Sequence, residues 1–152
     1  MVFGKEAFRK NDIVAGFVPG EFGLYYQSFK SWVEDYRPEF IFQEETFFDN
    51  EHKIAGTTDG GILLEGKNYL VDFKTNKDGN VYKETALQLS AYARMVRRSG
   101  KTVDGIMAVG LSDHGTYKME KLNENFDIFL KVKDLYCWLN KDALEKVGYE
   151  TN

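Results

Sequence analysis

The sequence predicts a mixed α/β fold in a single domain over residues 1–152, with a central β-sheet flanked by helices. Three observations predict it. Helix-type and strand-type segments follow one another in the order α-β-β-β-α-β-β-α, which builds a mixed sheet with helices packed on it. The run YLVDFK at residues 69–74 is mostly apolar and reads as a largely buried strand. A hydrophobic fraction of 43% and an aromatic fraction of 15% in 152 residues supply one real core and exclude a disordered chain.

Taken in order, residues 1–20 carry little periodicity and read as an N-terminal arm. Residues 21–36 place Leu24, Tyr25, Phe29, Trp32, Val33 and Tyr36 on one stripe, which predicts an amphipathic helix ending before Pro38. The run FIFQEETFF at 40–48 predicts one strand. Its parity puts Glu44 on the face of Phe40, Phe42, Thr46 and Phe48. Asp49-Asn50-Glu51 predicts a turn, and residues 52–58 the next strand. His52 and His114 each stand at a turn and read as solvated side chains.

Residues 61–64 and 69–74 read as the two arms of a hairpin joined by Glu65-Gly66-Lys67-Asn68, since Gly and Asn tolerate positive φ. Asp72 and Lys74 fall on one face of the second arm, with Val71 and Phe73 on the other. Two opposite charges at the end of a buried strand are costly unless they are paired or hold an ion. Asp59 stands just before Gly60-Gly61, where a bend can aim it at Asp72. Two carboxylates converging beside an ammonium suggest a divalent-metal site for an oxygen-rich substrate.

A polar loop follows at 75–80, then a helix over 83–99 with Leu87, Ala91 and Met95 on one stripe beside Gln88 and Tyr92. Gly100 is its expected left-handed stop. Gln88 and Tyr92 are four apart and share a helix face, as an ordinary packed Tyr and solvated Gln do, or as a functional pair does. Arg94, Arg97, Arg98 and Lys101 gather at the helix end, where they suit the helix dipole or can track a phosphate backbone. Residues 105–111 predict a buried strand, paired through Asp113-His114-Gly115 with 116–122 as a hairpin. A last helix runs from Phe126 to Leu139, capped by Asn123 or Asn125.

The ordered set of Glu44, Gly56-Thr57-Thr58-Asp59, Asp72-Phe73-Lys74 and Gln88-x-x-x-Tyr92 resembles the PD-(D/E)XK nuclease superfamily, in its RecB-like and lambda-exonuclease-type branch. The resemblance covers residues 44–92 closely and the flanks loosely. It implies a restriction-endonuclease-like core and a Mg²⁺- or Mn²⁺-dependent deoxyribonuclease, in first place an exonuclease processing DNA ends in recombination, repair or phage DNA metabolism. By the same resemblance Asp59, Asp72 and the Phe73 carbonyl hold one or two ions. Glu44 is either a further ligand or an exposed edge-strand charge. Lys74 acts on the attacking water or binds the phosphate as a cation, and Gln88 and Tyr92 hold the substrate backbone or support Lys74. Relatives often place a metal-binding histidine on the first helix; no histidine precedes His52 here, so Glu34, Glu21 or water would take that place.

The bulk composition narrows the partners. A net charge of −4 runs against a general nucleic-acid binder, so DNA binding has to rest on a local patch, such as Arg94, Arg97, Arg98 and Lys101, and on metal ions. The single cysteine, Cys137, builds no iron–sulfur cluster and fits a reducing cytoplasm. No window is apolar enough to span a membrane, and residues 1–11 lack the apolar core of a secretory signal. A homo-oligomer or a helicase or recombination partner is compatible with this reading. Two rivals stand beside it: a catalytically silent binding module that keeps the fold, and an unrelated α/β enzyme in which Asp59 and Asp72 are turn residues.

Overall fold

The computed structural model describes residues 23–150; the arm expected over 1–20, and Glu21, lie outside them. Among the described residues the chain is mixed α/β. Its elements are α1 Gly23–Tyr36, β1 Glu39–Gln43, β2 Thr46–Asp49, β3 Ile54–Thr57, β4 Gly60–Leu64, β5 Lys67–Thr75, α2 Thr85–Arg98, β6 Gly105–Leu111, β7 Tyr117–Leu122, α3 Phe126–Leu139 and α4 Lys141–Lys146. Five strands form one sheet in the order β1-β4-β5-β6-β7, and β2-β3 form a second, two-stranded sheet. Only β5 and β6 run parallel, and the chain between them carries α2 as the crossover. No helix of the described residues is long and apolar enough to cross a membrane.

Side-chain alternation on β5 divides the core in two. Tyr69, Val71 and Phe73 face α1 and pack with Phe29, Trp32, Met107 and Val109. Leu70 faces α2 and packs with Leu89, Ala93, Val96 and Ile106. The α1 side is aromatic: the Phe73 ring meets Trp32 edge-on at 5.2 Å and Phe29 at 5.4 Å. α1 ends at Tyr36 with Arg37 in the left-handed region, its N–H bonded to the Val33 carbonyl at 2.8 Å, directly before Pro38.

The expected strand over 40–48 is two strands. β1 bulges between Phe40 and Phe42, so Phe40 packs on the α1 side and Phe42 on the α2 side despite equal parity. Glu44 then takes φ +43°, which breaks the run, and β2 resumes with Phe47 buried and Phe48 exposed. The face assigned to Glu44 by parity is therefore lost. The opposite arm breaks at the same level. Glu44 donates its N–H to the Asp59 carbonyl at 3.0 Å, and Thr58 donates to the Glu45 carbonyl at 3.0 Å. β1-β2 and β3-β4 thus form one long antiparallel hairpin, kinked at its middle, with Asp59 at the kink.

Smaller differences have local causes. The strand expected from residue 52 starts at Ile54, because Lys53 is left-handed at φ +50° and prolongs the turn. The turn between β4 and β5 is Glu65-Gly66 alone, with φ +51° and +78°; Lys67 and Asn68 already pair with Leu64 and Leu63. On α2 the buried stripe is Leu89, Ala93 and Val96 with Met95, while Leu87 is half-buried. The expected Gly100 stop is present at φ +95°, β6 spans the expected residues, and Gly115 turns the β6–β7 hairpin at φ +78°. Asn125 caps α3, accepting from the Ile128 N–H at 3.4 Å.

Candidate active site

The kink gives Asp59 its direction. Between β3 and β4 the chain leaves the ladder, and the Asp59 carboxylate reaches the neighbouring strand, where Oδ2 accepts the Phe73 N–H at 2.7 Å. Asp59 is therefore fixed against the Asp-x-Lys segment, between Asp72 and Lys74. Burial pushes the Asp59 carboxyl up to about 6, and the charge of Asp72 adds to the rise, against the opposing pull of the Phe73 N–H and Lys74. Asp59 and Asp72 lie near enough for the charge of one to act on the other.

Asp72 and Lys74 share the α2-facing side of β5, as their parity requires. Asp72 is only 6% exposed. Its Oδ2 lies 2.9 Å from Lys74 Nζ, yet takes no hydrogen bond of acceptable geometry. Lys74 Nζ donates instead to Gln88 Oε1 at 3.2 Å, and Gln88 Nε2 donates to Tyr92 Oη at 3.1 Å. Because Tyr92 accepts here, its own O–H points onward, and it has no acceptor among the described residues. The four side chains form a directed chain from a buried carboxylate to a half-exposed hydroxyl.

The Gly-Thr-x-Asp segment has a second function that its sequence does not announce. A Cβ at Gly56 would run into the Tyr92 ring. The bare glycine on β3 is the seat against which that ring lies, which sets the Tyr92 hydroxyl where Gln88 can reach it.

Other candidates fall elsewhere. Glu44 is exposed, and its carboxylate does not converge with those of Asp59 and Asp72: the one group of three carboxylate, imidazole or thiolate ligands within 4.8 Å among the described residues is Asp49, Glu51 and His52. Its backbone contributes at the kink. Glu34 is exposed on the first helix, 3.7 Å from Lys30. The helix-end cations each meet a carboxylate. Arg94 bonds Asp49 and Glu51, both at 2.9 Å; Arg98 bonds Glu51; Arg97 grips Glu124 at 2.6 and 2.7 Å; Lys101 lies 3.6 Å from Glu45.

The Asp49 group has the ligand types of a metal site but not its electrostatics. Asp49 is buried in an otherwise exposed turn. Burial opposes its charge, but hydrogen bonds from His52, Arg94 and the backbone N–H groups of His52 and Glu51 outweigh that and hold the carboxyl well below its usual range. Two guanidiniums already neutralise the carboxylates, and a divalent cation would be repelled by both. His52 Nδ1 donates to the Asp49 carboxylate at 3.0 Å and its ring lies edge-on to Phe126, so it is a tied side chain and not a solvated one. Asp49-x-Glu51 with Arg94-x-x-x-Arg98 is readable as charge complementarity only once the turn and α2 are known to touch.

At Asp59 and Asp72 the opposite holds. A buried carboxylate oxygen lacks a hydrogen bond, and a second carboxylate is raised by burial and, after it, by its neighbour's charge. Such a pair fits a cation. No family model matches the chain, and no curated protein matches it.

Proposed function

We propose that this chain is a metal-dependent nuclease that hydrolyses phosphodiester bonds, acting at the ends of DNA. The observation that carries the reading is the chain Asp72–Lys74–Gln88–Tyr92 beside the raised carboxyl of Asp59. Asp59 and Asp72 are the residues that would hold Mg²⁺ or Mn²⁺, together with the Phe73 carbonyl by family resemblance. Such an ion, when bound, offsets phosphate charge and lowers the pKa of a coordinated water.

The protein's own groups supply the rest. Lys74 stands with its ammonium between the carboxylate and the substrate-facing side. It can donate to a phosphate oxygen where charge builds up in the transition state. Gln88 fixes the lysine by accepting from it, which limits the rotamers the long side chain samples. Tyr92 keeps its proton for an oxygen of the substrate backbone. Lys74 and Tyr92 are the donors left for an anion, since the Gln88 amide is engaged with both. The pairing of Arg94, Arg97, Arg98 and Lys101 with carboxylates leaves this local donor array as the main protein contribution to phosphate recognition.

The test is incubation of the full chain with end-labelled linear and closed circular DNA in Mg²⁺, Mn²⁺ or chelator. Linear DNA should be degraded with metal and not with chelator, and Asp72→Ala should be inactive while folded. Cutting of closed circles would make it an endonuclease. Mn²⁺ binding without cleavage of any DNA would leave a silent binding module. Neither binding nor cleavage would remove the site.

A further inference from the structure

We infer that the outward face of α3 is a self-association surface, and that two copies of this chain pair through it as antiparallel helices. The inference is independent of the nuclease reading. α3 is apolar on two sides. Its inner side, through Phe126, Phe129, Leu130 and Cys137, is half-buried on the body. Its outer side carries Ile128, Val132, Leu135 and Leu139 at spacings of four, three and four residues. That is the seam of a helix that packs against another helix. No residue of α3 is fully buried, and Val132, Leu135 and Leu139 are 50%, 55% and 65% exposed. Water-exposed placement of a regular seam is costly, since each large apolar side chain gains when it is covered.

Two features select a second copy as the occupant. The first is area. With Tyr136 and Trp138 exposed over 59% and 74% beside the seam, this face offers on the order of 700 Å² of apolar surface, close to the ~800 Å² per partner of a stable interface. The second is self-complementarity. The seam is symmetric about a point between Lys133 and Asp134: Ile128 mirrors Leu139, and Val132 mirrors Leu135. A two-fold axis through that point joins each apolar residue to an apolar partner over a helix about 21 Å long.

Sedimentation of the full chain across micromolar concentrations tests this. The wild-type chain should move at twice its monomer mass. Leu135→Asp, at an exposed position, should halve the mass with an unchanged far-ultraviolet circular dichroism spectrum. Val132→Asp chains and Leu135→Lys chains should each be monomeric alone and should associate when mixed, because the two positions face each other across the axis. A wild-type chain that stays monomeric overturns the inference, whatever else binds the face. So does a dimer that survives Leu135→Asp. Failure of the mixed chains to associate overturns the antiparallel arrangement.

Discussion

Lys74 touches Asp72 on one side and Gln88 on the other, so replacing it acts on both. Lys74→Ala removes no metal ligand, because an ammonium only donates. Mn²⁺ affinity should stay level or rise, since repulsion of the ion is relieved. Cleavage should fall by about 10²–10³, the usual loss for one group aimed at developing charge. Lys74→Arg keeps the charge but cannot give up its proton. If arginine restores most of the rate, the lysine acts as a cation; full activity of Lys74→Ala would end the proposed role. Gly56 gives a second handle on the same chain from outside it. Gly56→Ala pushes on the Tyr92 ring, so cleavage should drop toward the level of Tyr92→Phe. The overpacking should cost about 1–3 kcal/mol of stability in a denaturant titration. A variant that is fully active would show that the ring is free to move.

Among the elements, α2 has the clearest division of labour. Its N-terminal and middle turns present Gln88 and Tyr92, and its last turns are tied down by ion pairs. Arg97 holds Glu124 and donates twice to the Val103 carbonyl, at 2.8 and 3.1 Å. Arg97→Ala should therefore lower stability by about 1–2 kcal/mol, mostly through the carbonyl bonds, because the half-exposed ion pair adds little. The salt dependence of any DNA binding should be unchanged. A shallower salt slope in the variant would instead mark a phosphate contact. The sequence was informative where periodicity and turn chemistry decide local structure, as at β5, β6, the Gly100 stop and the Asn125 cap. It placed Asp72 and Lys74 on one face correctly because parity along an unbroken strand is reliable. It failed at 40–48, because a bulge and a left-handed Glu44 leave no mark in the pattern of apolar residues. The Asp49 network was illegible for another reason: its members are 45 residues apart, from Asp49 to Arg94, and meet only through the tertiary fold.

For the whole molecule, two aspartates pull stability in opposite directions with pH. Asp49 is held below its unfolded value near 3.8, so its contribution is present above that value and is lost as pH falls below it. Asp59 is raised to about 6, so the folded state binds its proton more tightly than the unfolded state. Stability therefore falls as pH rises from about 4 through 6. The cost at neutral pH is on the order of 3 kcal/mol. Without metal the melting temperature should peak in mildly acidic buffer and decline toward pH 7. Mn²⁺ should reverse that decline by binding the two carboxylates in their charged form. A flat profile, or one that Mn²⁺ leaves unchanged at pH 7, would count against a cation at this pair.

The parallel β5–β6 ladder also sets an order of events during folding. The β4–β5 hairpin closes across Glu65-Gly66, and hairpins of this kind form within about 1–10 µs. β6 meets β5 only after the intervening crossover has been wound, so loop-closure entropy is met before any ladder bond forms. The kinked arm delivers Asp59 to the hairpin early, while Gln88 and Tyr92 ride in on the late crossover. For that interval the two aspartates face each other without the helix that completes their surroundings. A chain folding around a divalent ion would meet less repulsion there than a chain folding without one.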